Sequence, residues 1–76
     1  MISSQSYYVV LFKSVSHAMR AERILKNEKI PFKIIPVPKS ISSDCGVCIR
    51  FIPEYRETIE AILKSTVEYS DIRELN

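Results

Sequence analysis

The stretch Tyr7-Tyr8-Val9-Val10-Leu11-Phe12 decides how the rest of the chain is read. It is built of β-branched, aromatic and other apolar residues and is apolar at both odd and even positions. A strand with one wet face alternates, because successive side chains point to opposite sides of the sheet. A run that does not alternate predicts a strand covered on two sides, near the centre of a sheet.

Working outward, Lys13 to Ser16 supplies a cap region, in which Ser14 or Ser16 can accept from the unpaired N–H groups of a following helix. That helix is predicted from about His17 to Lys29. Ala18, Ala21, Leu25 and Glu28 share a stripe with Ile24 beside it, a narrow face of small residues suited to close packing on a sheet. Arg20, Glu22, Arg23 and Lys26 make the solvated side. Ile30-Pro31 ends the helix, since the residue before proline is pushed out of the α region. Phe32 to Val37 reads as a second strand, and Pro36 marks it as an edge strand because a central ladder would miss its N–H. Pro38 to Asp44 is a loop with Ser40, Ser42, Ser43 and Asp44 as turn formers.

Gly46 to Ile52 reads as the third strand. Pro53 opens a second helix at its first position, with Glu54 and Glu57 in the N-terminal turns. Tyr55, Ile59, Ile62 and Leu63 form its apolar stripe. Ser70 to Leu75 reads as a short last strand, with a frayed tail as the alternative. The order β-α-β-β-α, with a final β, predicts an α+β fold of the ferredoxin-like, split βαβ kind. Two helices should cover one face of an antiparallel sheet. The whole of 1–76 is one domain, with 1–6 as a flexible end, and 69–76 as another if the last strand does not form.

At 76 residues the chain is too short for a large core; a domain of this size buries only about 60% of its unfolded surface. Its 46% hydrophobic and 26% charged content is that of an ordinary globular domain. A net charge of +2, from dispersed Lys and Arg balanced by nine acids, argues against nucleic acid as a partner. Residues 1–12 lack a basic region ahead of the apolar run, and that run is far short of the ~20 residues of a membrane span. The expectation is a cytoplasmic protein with reduced thiols and no membrane partner.

The chemistry concentrates in Ser42-Ser43-Asp44-Cys45-Gly46-Val47-Cys48, which holds both cysteines and the only glycine. A lone glycine beside a cysteine suggests a local demand, either positive φ or close approach of another group to the backbone. In a ferredoxin-like sheet the first and third strands are antiparallel neighbours, so Cys45 should meet the segment Phe12 to His17. The N-terminus of the first helix lies there, where partial positive charge favours thiolate. Ser14, Ser16, His17 and Lys13 are the candidate thiolate-stabilising residues, with Lys39 adding positive potential and Asp44 opposing it.

Cys48 lies three residues on, so along a regular strand it points to the opposite face about 10 Å away, outside the ~7 Å reach of a disulfide. It is expected to be a small apolar sheet residue. One histidine and no clustered carboxylates leave a Cys-x-x-Cys zinc site short of ligands, so no metal and no cofactor is expected. Arg50, mid-strand, needs solvent or an acid and is a candidate anion contact, with a structural salt bridge as the simpler reading.

These residues carry a family resemblance. Phe12-Lys13-Ser14, Ala18-Met19-Arg20-Ala21-Glu22, Ile30-Pro31-Phe32, Pro36-Val37-Pro38, and Ser42-Ser43-Asp44-Cys45-Gly46 running into Ile49-Arg50-Phe51 resemble the selenium/sulfur carrier-like family of small domains. The resemblance spans roughly residues 7 to 64. It implies that Cys45 is the carrier thiol and Gly46 its backbone partner, with sulfur or selenium donor and acceptor proteins as partners. The implied role is that of a carrier rather than an enzyme with its own turnover.

Other readings remain open at this level. One is an interaction module in which Tyr7, Val9, Leu11, Ile35 and Ile52 form an apolar patch on the helix-free face and support a homodimer. Another is a small-anion site at the start of the first helix. Metal transport ranks last, because Lys13-Ser14-Val15-Ser16 occupies the place where ferredoxin-like metal chaperones carry cysteines.

Overall fold

A computed structural model describes residues 6–39, 41 and 46–75. The elements run β1 (Tyr7–Leu11), α1 (Val15–Asn27), β2 (Lys33–Pro36), β3 (Val47–Phe51), a 3₁₀ turn (Pro53–Tyr55), α2 (Arg56–Thr66) and β4 (Asp71–Leu75). They form a four-stranded sheet in the order β2-β3-β1-β4. Every neighbouring pair is antiparallel. This is the α+β, ferredoxin-like arrangement read from the sequence, with β1 interior and the proline-bearing β2 at an edge. The last strand forms: β4 pairs with β1 from Tyr7↔Leu75 to Leu11↔Asp71, which rules out the frayed-tail alternative for 71–75.

Helix boundaries differ from expectation for identifiable reasons. The first helix starts at Val15, two residues early, because Ser14 caps it by accepting from the His17 N–H. It stops at Asn27, four residues ahead of Pro31. The stop is a Schellman turn: Ile30 N–H donates to the Leu25 carbonyl and Lys29 N–H to that of Lys26, both at 3.1 Å. Lys29 sits at φ 60, a left-handed position that usually takes glycine. Glu28, placed on the buried stripe by periodicity, is instead the exposed C-cap. Pro53 opens a 3₁₀ turn rather than the α-helix itself, and Tyr55 N–H donates back to the Ile52 carbonyl.

The core has two parts because β1 has two apolar faces. On the helix side, Val10, Ile49 and Phe51 of the sheet pack with Ala18, Ala21 and Leu25 of α1 and Ile59 and Leu63 of α2. Phe51 also lies against Tyr8, ring centroids 6.0 Å apart. On the other side, Val9, Leu11 and Cys48 form a second cluster, with Ile35, Val37, Ile41 and Leu75 packed against it. Val37 and Ile41 belong to the β2–β3 connection.

This second cluster corrects the expected apolar patch. Val9 is 0% and Leu11 3% exposed, so neither presents a surface for a partner. Burying side chains of this size contributes about 1.5–3 kcal/mol each relative to exposure. Of the expected patch, Tyr7, Ile35 and Ile52 remain half-buried. Among the described residues no helix is long and apolar enough to cross a membrane.

Candidate functional site

Cys45, with Ser42, Ser43 and Asp44, lies outside the described residues; the described residues on either side of these four are Ile41 and Gly46. Gly46 enters β3 at the edge strand: Val37 N–H donates to its carbonyl at 3.1 Å, and Pro36 pairs with Val47 just beyond. On the other side of β3, Leu11 pairs with Cys48. The chain entering β3 thus reaches the sheet at the end where β1 hands over to α1, and β4 begins there too, with Ser70 N–H donating to the Leu11 carbonyl at 2.7 Å.

Gly46 is exposed, its φ is not positive, and a Cβ placed on it meets nothing within 4 Å. Neither demand proposed from the sequence operates within the folded chain among the described residues. None of the described residues occupies the space into which a side chain there would project.

The start of α1 is organised around one hydroxyl. Ser14 Oγ accepts from the His17 N–H at 3.3 Å and lies 2.7 Å from His17 Nδ1. Ala18 N–H makes the first intrahelical bond, to the Ser14 carbonyl at 3.2 Å, so the N–H groups of Val15 and Ser16 precede the ladder. No acidic side chain occupies this first turn. Ser16 is exposed. Lys13 is engaged with Glu68 at 3.4 Å, which offsets its charge locally. Both side chains are largely exposed, so the pair contributes little to stability.

The remaining candidates separate clearly. Cys48 is 0% exposed and faces Val9 and Leu11 in the second cluster, beneath Ile35, Val37 and Ile41. Its burial is that of a small apolar residue. Arg50, two residues further and on the same face, has no acidic partner among the described residues; its guanidinium carbon lies 4.3 Å from the centre of the Tyr7 ring instead. Sequence reasoning offered solvent, an acid or an anion for Arg50 and missed the ring. The signal was present, because Tyr7 and Arg50 lie on one face once β1 and β3 are paired in register.

No curated protein and no solved structure matches the chain. A family model described as "Putative Se/S carrier protein-like" matches residues 7–74, from the first residue of β1 to the penultimate residue of β4. The match takes in every helix and strand but for Leu75 at the end of β4, and both cysteines, and on it the chain belongs to that selenium/sulfur carrier-like family.

Proposed function

We propose that this chain is a thiol carrier that holds a persulfide, or its selenium equivalent, on Cys45 and passes the chalcogen between partner proteins. The observation that carries the reading is the complete burial of Cys48. A carrier thiol has to reach another protein's sulfur, and of the chain's two cysteines that leaves Cys45. Family membership supplies the function class, and the open space over Gly46 leaves room for a partner's backbone beside the thiol.

In the loading step the Cys45 thiolate attacks the terminal sulfur of a donor persulfide. A new S–S bond forms on Cys45, the donor's S–S bond breaks, and its electron pair stays on the donor thiolate. The proton carried by the donor's terminal sulfur moves with it, so no oxidant or reductant is consumed. A perselenide donor transfers selenium by the same balance. The start of α1 follows the end of β1 beside which β3 begins, and its Val15 and Ser16 N–H groups ahead of the ladder, with no acid in the first turn, would favour a thiolate held there. Such a thiol stays competent in a reducing, cytoplasmic compartment. Dimerisation through the helix-free face has little to work with, since Val9 and Leu11 are already buried within one chain.

Incubation with a cysteine desulfurase and cysteine, followed by intact mass measurement, tests the reading. The wild type gains about 32 Da per sulfur loaded, and Cys45→Ser gains nothing. An equal gain on Cys45→Ser, or none on the wild type with a desulfurase of demonstrated activity, overturns it. Alkylation of Cys45 by iodoacetamide should fall off at a pH below the ~8.5 of an unperturbed thiol.

A further inference from the structure

The sheet carries a second feature at the end away from Gly46. A cleft of about 240 Å³ opens beside the first residue of β1, walled by Tyr7, Pro31, Phe32 and Ile52 and by the cations Lys33 and Arg50. Along β3 it lies about 13 Å from Gly46 at ordinary strand rise.

Two of the cations there are placed in an unfavourable way, and no acid among the described residues pairs with either. Register puts Lys33 directly opposite Arg50, Arg50 opposite Val9, and Val9 opposite Arg73, all on the helix-free face. Like charges directly opposite each other across strands destabilise the pair. Arg73 has its counter-ion, with Asp71 Oδ2 3.1 Å from its Nε. Among the described residues Lys33 and Arg50 have none, and none of the described residues lining the cleft is acidic. Arg50 is half-buried and held over Tyr7. A guanidinium held by a ring against its face still presents its N–H groups in its own plane, the fork that matches a carboxylate.

We infer that this cleft is a binding site for a small carboxylate with an apolar or aromatic body. The carboxylate sits between the Arg50 fork and the Lys33 ammonium and relieves their repulsion. The apolar body lies against Tyr7, Phe32, Pro31 and Ile52. The volume suits a single ring or branched side chain, being below the ~300–1,000 Å³ of pockets for larger ligands. The carboxylate could come from a free metabolite or from the C-terminal residue of another chain. The inference stands apart from the carrier reading, because that reading assigns no part in the transfer to any residue lining the cleft.

The test is a titration of the isotope-labelled protein followed by amide NMR, with phenylacetate, N-acetylphenylalanine and benzyl alcohol as probes. Saturable shifts at Tyr7, Lys33, Arg50 and Ile52 are expected with the two carboxylates, and none with the uncharged alcohol. Lys33→Gln, an exposed change that spares the fold, should weaken phenylacetate binding roughly five- to tenfold through the lost charge-assisted contact. Arg50→Gln should weaken it at least as much. Cys45→Ser should titrate as wild type, which keeps a failure here distinct from a failure of the carrier reading. Tighter binding of N-acetylphenylalanine than phenylacetate points to a chain terminus, and the reverse order to a free metabolite. No saturable shift up to roughly 20 mM, equal response to benzyl alcohol, or unchanged affinity in both Lys33→Gln and Arg50→Gln overturns the assignment.

Discussion

Replacing Gly46 by alanine separates a backbone requirement of the fold from a requirement of transfer. The added methyl enters open space, with nothing within 4 Å, and φ at Gly46 is not positive, so the folded state accepts it without strain. The Gly46 carbonyl still accepts from the Val37 N–H at 3.1 Å, since alanine leaves the carbonyl in place. What changes is the unfolded chain, which loses conformational freedom, and this stabilises the variant by about 0.4–1 kcal/mol. For a domain of this length that raises Tm by about 2–8 °C. Transfer should respond in the opposite direction. If the partner's backbone approaches Cys45 across the bare Cα of Gly46, a methyl there obstructs it, and a tenfold slowing corresponds to about 1.4 kcal/mol on the barrier. Thermal unfolding by circular dichroism gives the first quantity, and the rate of label movement from a ³⁵S-loaded desulfurase gives the second. A destabilisation of more than about 1 kcal/mol would refute the account of the backbone at Gly46. An unchanged transfer rate in a stabilised Gly46→Ala would refute the role given to the open space.

Two further outcomes test the scaffold. Lys29→Gly relieves a left-handed residue in the α1 Schellman turn and should stabilise the domain by about 1 kcal/mol, read as a higher denaturation midpoint with unchanged slope. A neutral or destabilising result would mean the turn is not held as described. Cys48→Ala removes a fully buried sulfur from the cluster of Val9 and Leu11 and should cost about 1 kcal/mol while leaving sulfur loading intact. Loss of loading in a folded Cys48→Ala would show that the buried thiol takes part in the chemistry.

Much of the fold was legible because local rules and tertiary packing agree here. Pro36 announced an edge strand, and β2 is one. Ala18, Ala21 and Leu25, and Ile59 and Leu63, are the residues that the two helices bury. The end of α1 was not legible. The chain's one glycine is spent at residue 46, so the helix stops on a lysine, and nothing in Asn27-Glu28-Lys29 announces a left-handed turn. The cover of the second sheet face was half legible. The non-alternating run in β1 required burial on both sides, but the residues that provide it, Val37, Ile41 and Leu75, come from a loop and the last strand.

The sequence by itself determined the order of elements and the edge position of β2, because these follow from strand period and proline chemistry, and through the family motif it offered Cys45-Gly46 as the candidate site. Only the tertiary structure decided which thiol is shut away and which cations are brought together. Cys48 is buried because Leu11 and Ile35 flank it in register while residues of a loop fold over it. Lys33 and Arg50 are 17 residues apart in sequence, and it is the antiparallel pairing of β2 with β3 that sets them side by side over the Tyr7 cleft. Neither distance is encoded locally, since both depend on contacts that exist only once the sheet has closed.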